Sequence, residues 1–201
     1  MVFMLQSSWR EPVGKIIDPI ARLLIKMRIS ANVISIIGGI GASISALYFF
    51  PKGEFLIGVI AVTIFALFDL FDGTVARLSA KGSSKWGAAL DSTLDRISDS
   101  AILIGGYIYV QKNNDFLSKY FLISLVSGFL VSYIKARAES LAIKCDGGVA
   151  ERTERLIIIL AAYALFDLGV SKAIEFGIYL LTILSLITVA QRLAIVYKES
   201  K

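Results

Sequence analysis

Hydrophobic residues in this chain come in blocks rather than stripes. The blocks occupy residues 31–50, 55–75, about 86–110, 116 to about 138, 156–166 and 174–197. A helix needs about 20 predominantly apolar residues to cross the hydrocarbon of a bilayer, so the pattern predicts six transmembrane helices. No two-residue alternation competes with them for a strand. The fifth block is short, and its helix is expected to begin earlier, inside the polar run that precedes it. The third is unusual, because Asp91, Asp95, Arg96 and Asp99 lie within it.

Ahead of the first block, Val13, Ile16, Ile17, Ile20, Ala21, Leu23, Leu24 and Met27 recur near helical spacing, with Lys15, Arg22 and Lys26 between them. This two-faced pattern predicts an amphipathic helix over about 11–27, lying on the cytoplasmic leaflet. Asp18, Pro19 and the polar run Arg28-Ile29-Ser30 separate it from the first span. The expected fold is an all-α integral membrane protein, one domain over residues 1–201. It consists of the interfacial helix and a six-helix bundle over about 31–198. Within the first span Gly38, Gly39, Gly41, Ala42, Ser43 and Ala46 leave room for another helix to approach closely.

Composition supports this picture. Of 201 residues 56% are hydrophobic and only 18% charged, against about 25% charged in soluble domains. A soluble enzyme and a disordered chain are excluded. Cys145 is the single cysteine, so no internal disulfide forms, and histidine is absent. Proton transfer near neutral pH must then fall to carboxylates, Lys or Tyr, and any metal must be held by oxygen. The opening MVFMLQSSWREP has no apolar core of signal-peptide length. The net charge of +5 is explained by basic cytoplasmic loops rather than by nucleic acid. Sixteen Lys and Arg fall in the N-terminal segment, the second and fourth connections and the tail, against four on the alternate side. The positive-inside rule therefore places both termini in the cytoplasm.

Chemistry concentrates between Phe68 and Ser100. Asp69 and Asp72 stand three apart at the cytoplasmic end of the second span; Asp91 and Asp95 stand four apart at the start of the third. Each pair shares a helix face. A nine-residue link, 78–86, lets the two helices run antiparallel and bring four carboxylates to one depth. Each charge at membrane depth costs about 2.5–3.5 kcal/mol on insertion scales, and divalent cations would offset the mutual repulsion. Oxygen-only ligation selects Mg²⁺ or Mn²⁺, and two such ions would clamp the attacking and leaving oxygens of a phosphoryl transfer. Gly73 would let a phosphate approach the backbone, and Arg77 could neutralise one of its oxygens.

The spacing D-x-x-D-G-x-x-A-R followed by G-x-x-x-D-x-x-x-D resembles the signature of the CDP-alcohol phosphotransferase family. Here it reads Asp69, Asp72, Gly73, Ala76, Arg77, Gly87, Asp91 and Asp95, with one more residue between Arg77 and Gly87 than the usual eight. SYIKARAES at 132–140, DGGVAERTERLIIIL at 146–160 and Gln191-Arg192 look like the actinobacterial members of that family that use inositol phosphate. The resemblance implies a bacterial plasma-membrane enzyme, a homodimer, transferring phosphatidyl from CDP-diacylglycerol to 1D-myo-inositol 3-phosphate with release of CMP. It implies that Asp69, Asp72, Asp91 and Asp95 bind two metal ions and that Asp95 is also the proton acceptor. It further implies donor contacts at Asn32, Val33, Ile34, Ser35 and Ser84.

Lys135, Arg137, Arg152, Arg155 and Arg192 lie at three helix ends. The positive-inside rule alone would put cations there, while the same residues would also form a pocket for a phosphorylated alcohol. The resemblance implies that Lys135, Arg155 and Arg192 hold the acceptor's phosphate, with Arg137 and Arg152 as further candidates. Arg96 and Asp99 are expected to make a structural ion pair or a polar helix contact. Two other functions fit parts of the pattern. One is transfer to glycerol 3-phosphate; the other is a cation transporter lined by carboxylates.

Overall fold

The computed structural model describes residues 18–79, 84–112 and 115–201. Among them no strand occurs, and eight α-helices follow one another. These are α1 (18–26), α2 (Ala31–Phe49), α3 (Phe55–Ala66), α4 (Phe68–Leu78), α5 (Lys85–Gln111), α6 (Asp115–Ser140), α7 (Arg152–Asp167) and α8 (Ala173–Glu199). Among the described residues four stretches are long and apolar enough to cross a membrane: Ala31–Lys52, Phe55–Leu78, Phe116–Ser140 and Ala173–Glu199. Of the other two expected spans, α5 has 27 residues but carries its charges in the N-terminal half, and α7 has 16. The fifth helix does begin early, at Arg152 inside the polar run. The second span is two helical lengths, but Leu67 between them keeps αR dihedrals, so only the hydrogen-bond ladder lapses. Of the expected interfacial helix, the part at 18–26 is helical; Val13, Lys15, Ile16 and Ile17 lie outside the described residues.

The chain forms two compact units. The first joins the chain up to Ile44 with Ala61–Ser98. Its core is Ala21, Ile34 and Val75, with Leu24, Ile25, Phe68 and Phe71 packed against them. The small residues of α2 are used as expected. A methyl at Gly38 would meet Phe68 Cβ at 2.8 Å, one at Gly39 would meet Leu94 Cβ at 2.8 Å, and Gly41 lies against the Phe65 ring. Ser30 begins α2 by accepting the Val33 amide at 3.4 Å, and Ser84 begins α5 by accepting the Gly87 amide at 2.9 Å.

The second unit joins Ser45–Ile60 with Asp99–Lys201. Phe50, Phe55 and Tyr163 are fully buried against one another, with ring centroids 4.6–5.7 Å apart. The Tyr163 hydroxyl donates to the Ile102 carbonyl at 3.1 Å. Asp167 Oδ2 accepts the Leu56 amide at 2.7 Å, satisfying a donor in the first turn of α3. Between α6 and α8 the Ser124 and Thr182 hydroxyls lie 2.7 Å apart and buried, the kind of polar contact that holds helices together where no water competes.

Candidate metal and nucleotide site

In the first unit α4 and α5 each deliver carboxylates from one face. Asp69, Asp72 and Asp91 each present an oxygen within 4.8 Å of the others'. Asp72 is 7% exposed. The Ser35 hydroxyl lies 2.5 Å from its Oδ2 and 3.1 Å from the Ala31 carbonyl, so α2 fixes the orientation of the carboxylate. Three anionic groups this close repel one another strongly in a partly desolvated place. A purely oxygen donor set fits a hard divalent cation, so these residues suit the metal that the sequence pattern called for.

Asp95 is not in that group. It stands a turn further along α5, with Oδ2 3.4 Å from Arg96 Nη1. A cavity of about 180 Å³ opens beside the carboxylates, walled by Asp72, Asp91, Gly73, Ser35, Asn32 and Ser84 among others. At Gly73 a methyl group would have nothing within 4 Å, so the backbone there faces open space, as expected for a place where a phosphate comes close. A methyl at Gly87 would press on Asn32 Oδ1 at 3.0 Å, which accounts for the signature's second glycine. Arg77 is tied to Thr74, Nη2 donating to Oγ1 at 2.9 Å.

A larger cavity of about 400 Å³ shares Ala31, Asn32, Ala76 and Ser84 with the first. Of the four consecutive donor-site residues expected, Asn32 and Ser35 reach these walls and two do not. Ile34 is 3% exposed in the apolar core, and Val33 is 45% exposed and outside both cavities.

In the second unit the basic residues hold one another's surroundings in place. Arg155 is 8% exposed; its Nη2 lies 4.0 Å from Asp99 Oδ2, and its Nη1 donates to the Ala150 carbonyl at 3.3 Å. Arg152 Nε lies 3.3 Å from Asp99 Oδ1. Asp99 is thus the structural ion-pair partner expected, but its arginines come from α7, while Arg96 meets Asp95 instead. Arg192 is 3% exposed, donating to the carbonyls of Gly147 at 2.9 Å and Val131 at 2.6 Å, and to Glu151 at 3.3 Å. Lys135 lies 3.8 Å from Asp146, and Arg137 bonds the Ser140 hydroxyl. Sequence reasoning missed how far Arg192 is engaged with backbone. Its place near the end of α8 was visible, but the carbonyls that meet it come from Val131 on α6 and from Gly147 in the loop that follows, a pairing no periodicity encodes.

Comparison with known proteins gives the site its context. Residues 28–194 match the family described as CDP-alcohol phosphatidyltransferase, a span that contains Asp69, Asp72, Asp91, Asp95 and Asp99. The chain belongs to the CDP-alcohol phosphatidyltransferase family. It is an enzyme, a transferase of phospholipid biosynthesis, and the cation-transporter alternative is set aside. It is 36% identical to the phosphatidylinositol phosphate synthase of Corynebacterium glutamicum, over 98% of this chain and 90% of the relative. The crystal structure of Mycobacterium tuberculosis phosphatidylinositol phosphate synthase with CDP-DAG bound superposes with a TM-score of 0.87. It is 39% identical and covers 91% of this chain and 94% of that one. A second structure of that synthase, in complex with manganese and citrate, has a TM-score of 0.85 and 39% identity, covering 89% and 88%. Divalent metal use by this family member agrees with its carboxylate cluster.

Proposed function

We propose that this enzyme is a phosphatidylinositol phosphate synthase, transferring phosphatidyl from CDP-diacylglycerol to a hydroxyl of 1D-myo-inositol 3-phosphate and releasing CMP. The observation that carries the reaction is the Asp69–Asp72–Asp91 cluster beside the open backbone of Gly73. The names of its relatives support the acceptor.

In this reading Asp69, Asp72, Asp91 and Asp95 hold two divalent cations, Mg²⁺ or Mn²⁺. When bound, these supply electrostatic stabilisation of the charge on the transferring phosphoryl group and the departing CMP. Ser35 keeps the Asp72 carboxylate turned toward its neighbours. Asn32, Ser35 and Ser84 bind the cytidine end of the donor, while Gly73 and Arg77 receive its pyrophosphate. The acceptor hydroxyl attacks the phosphatidyl phosphorus as the P–O bond to CMP breaks. CMP keeps the bridging oxygen and its electron pair, and the hydroxyl proton passes to the Asp95 carboxylate. Lys135, Arg155 and Arg192, with Arg152 and Arg137 nearby in sequence, provide the cations for the acceptor's phosphate. Asp99 holds Arg152 and Arg155 in register for that task.

The reading extends to the setting. Six helices span the plasma membrane of a bacterium, α1 rests on the cytoplasmic leaflet, and both termini and the active site face the cytoplasm. The whole chain is one functional domain, working as a homodimer. The test is CMP release by the detergent-purified enzyme from CDP-diacylglycerol, with inositol 3-phosphate, glycerol 3-phosphate, free inositol or no acceptor. Release specific to inositol 3-phosphate is expected. Preference for glycerol 3-phosphate would keep the donor site and overturn the reading of the basic residues.

A further inference from the structure

The 400 Å³ cavity has a wall that the family signature does not touch: Arg28, in the turn between α1 and α2. Most of that cavity is apolar, with Ile25, Ile29, Val75 and Ala76 along it, and a few polar groups from Ser30, Asn32 and Ser79. Among the described residues, Arg28 is the one charged side chain in the lining, and nothing pairs with its guanidinium. A phosphate would want several donors and cations together. A flat ring with a polar edge is better suited to apolar walls and a single planar donor group. The shared residues Ala31, Asn32, Ala76 and Ser84 join this space to the one beside Asp72, Asp91 and Gly73. A nucleotide with its phosphates at the carboxylates would therefore have its base in the larger cavity.

We propose that Arg28 reads the nucleobase of the donor, its guanidinium donating to the acceptor edge of cytosine. This rests on the donor reading above and adds a specificity residue to it. Cytosine presents two neighbouring acceptors, O2 and N3, which a guanidinium can meet together. Uracil presents O2 beside an N3–H donor and loses one of those bonds. A site built to use a hydrogen bond discriminates against an analogue that lacks it.

Backbone conformation makes the test a clean one. Arg28 has φ +60°. Its amide donates to the Ile25 carbonyl at 2.9 Å and that of Ile29 to Leu24 at 3.0 Å, a left-handed helix stop that favours glycine. Ala142 ends α6 with the same conformation, so the strain itself is not a sign of function. Arg28→Gly thus removes the side chain while relieving the backbone, and stability should hold or rise. Binding of CMP and UMP to the full-length protein, measured by titration calorimetry, would be read together with thermal midpoint and donor KM. The expected result is that Arg28→Gly weakens CMP binding about tenfold or more, weakens UMP binding clearly less so that the CMP-to-UMP preference falls, raises donor KM, spares acceptor KM and keeps the midpoint. Arg28→Lys should recover binding only in part, since an ammonium cannot meet both acceptors. An unchanged CMP-to-UMP preference in Arg28→Gly would overturn the proposal while leaving the donor reading intact. Absence of CMP binding by the unsubstituted protein would overturn both.

Discussion

Asp72 is nearly buried, and a buried carboxylate is tolerated only when hydrogen-bonded and balanced by positive charge. Ser35 supplies the hydrogen bond. Groups that orient a metal ligand matter almost as much as the ligand, so Ser35→Ala should raise the Mg²⁺ concentration for half-maximal activity by about 10–100-fold. Maximal rate at saturating metal would be much less affected. Asp95→Asn should lower turnover by about 10²–10⁴-fold, the usual worth of a general base, while CMP still binds; a rate within a few-fold of the parent would remove Asp95 as proton acceptor. In the proposed acceptor site, Arg155→Ala would remove a charge-assisted contact to the acceptor's phosphate, worth about 1.5–3 kcal/mol. It should raise KM for inositol 3-phosphate by about 10–100-fold and the donor KM far less. Equal rises in both would assign Arg155 to holding Asp99 alone. At this scale the aspartates were legible because their spacing matches a helix turn. The partners Ser35 and Asp99 were not assignable, because each pairing depends on which helix faces which.

Helices were the easiest feature to read, since length and apolarity set them. Five of the six predicted blocks end within about three residues of observed helix boundaries. The fifth began earlier because Arg152, Glu154 and Arg155 disguise its first turn as loop. The lapse at Leu67 left no mark in the sequence, having neither Gly nor Pro to announce it. Small residues in α2 were read correctly as contacts, and Gly105 extends the same rule to α5 in the second unit. A methyl there would press on the Ala46 carbonyl at 2.7 Å and Phe50 Cβ at 3.1 Å. Because one of these neighbours is backbone, Gly105→Ala should cost about 1–3 kcal/mol by overpacking. A thermal melt in detergent would register it as a lowered midpoint, with the metal requirement unchanged.

For the whole molecule, the bilayer decides both fold and orientation. An 18% charged chain exposes Ile44, Ile57, Ile64, Phe129 and Leu186 because lipid rather than water is their solvent. In the proposed topology the excess of Lys and Arg at one side of the spans would turn the aspartates toward the compartment where soluble phosphorylated alcohols are found. The acceptor is supported by the relatives named phosphatidylinositol phosphate synthase and by the basic residues of α6, α7 and α8. The most direct measurement follows labelled inositol 3-phosphate into lipid, using purified enzyme with CDP-diacylglycerol, before and after chelation with EDTA. Label should become extractable into organic solvent only when donor and divalent cation are both present, vanish with EDTA, and return on adding Mg²⁺ or Mn²⁺. Label that stays in water with donor and metal supplied, or enters lipid undiminished after chelation, would contradict the account.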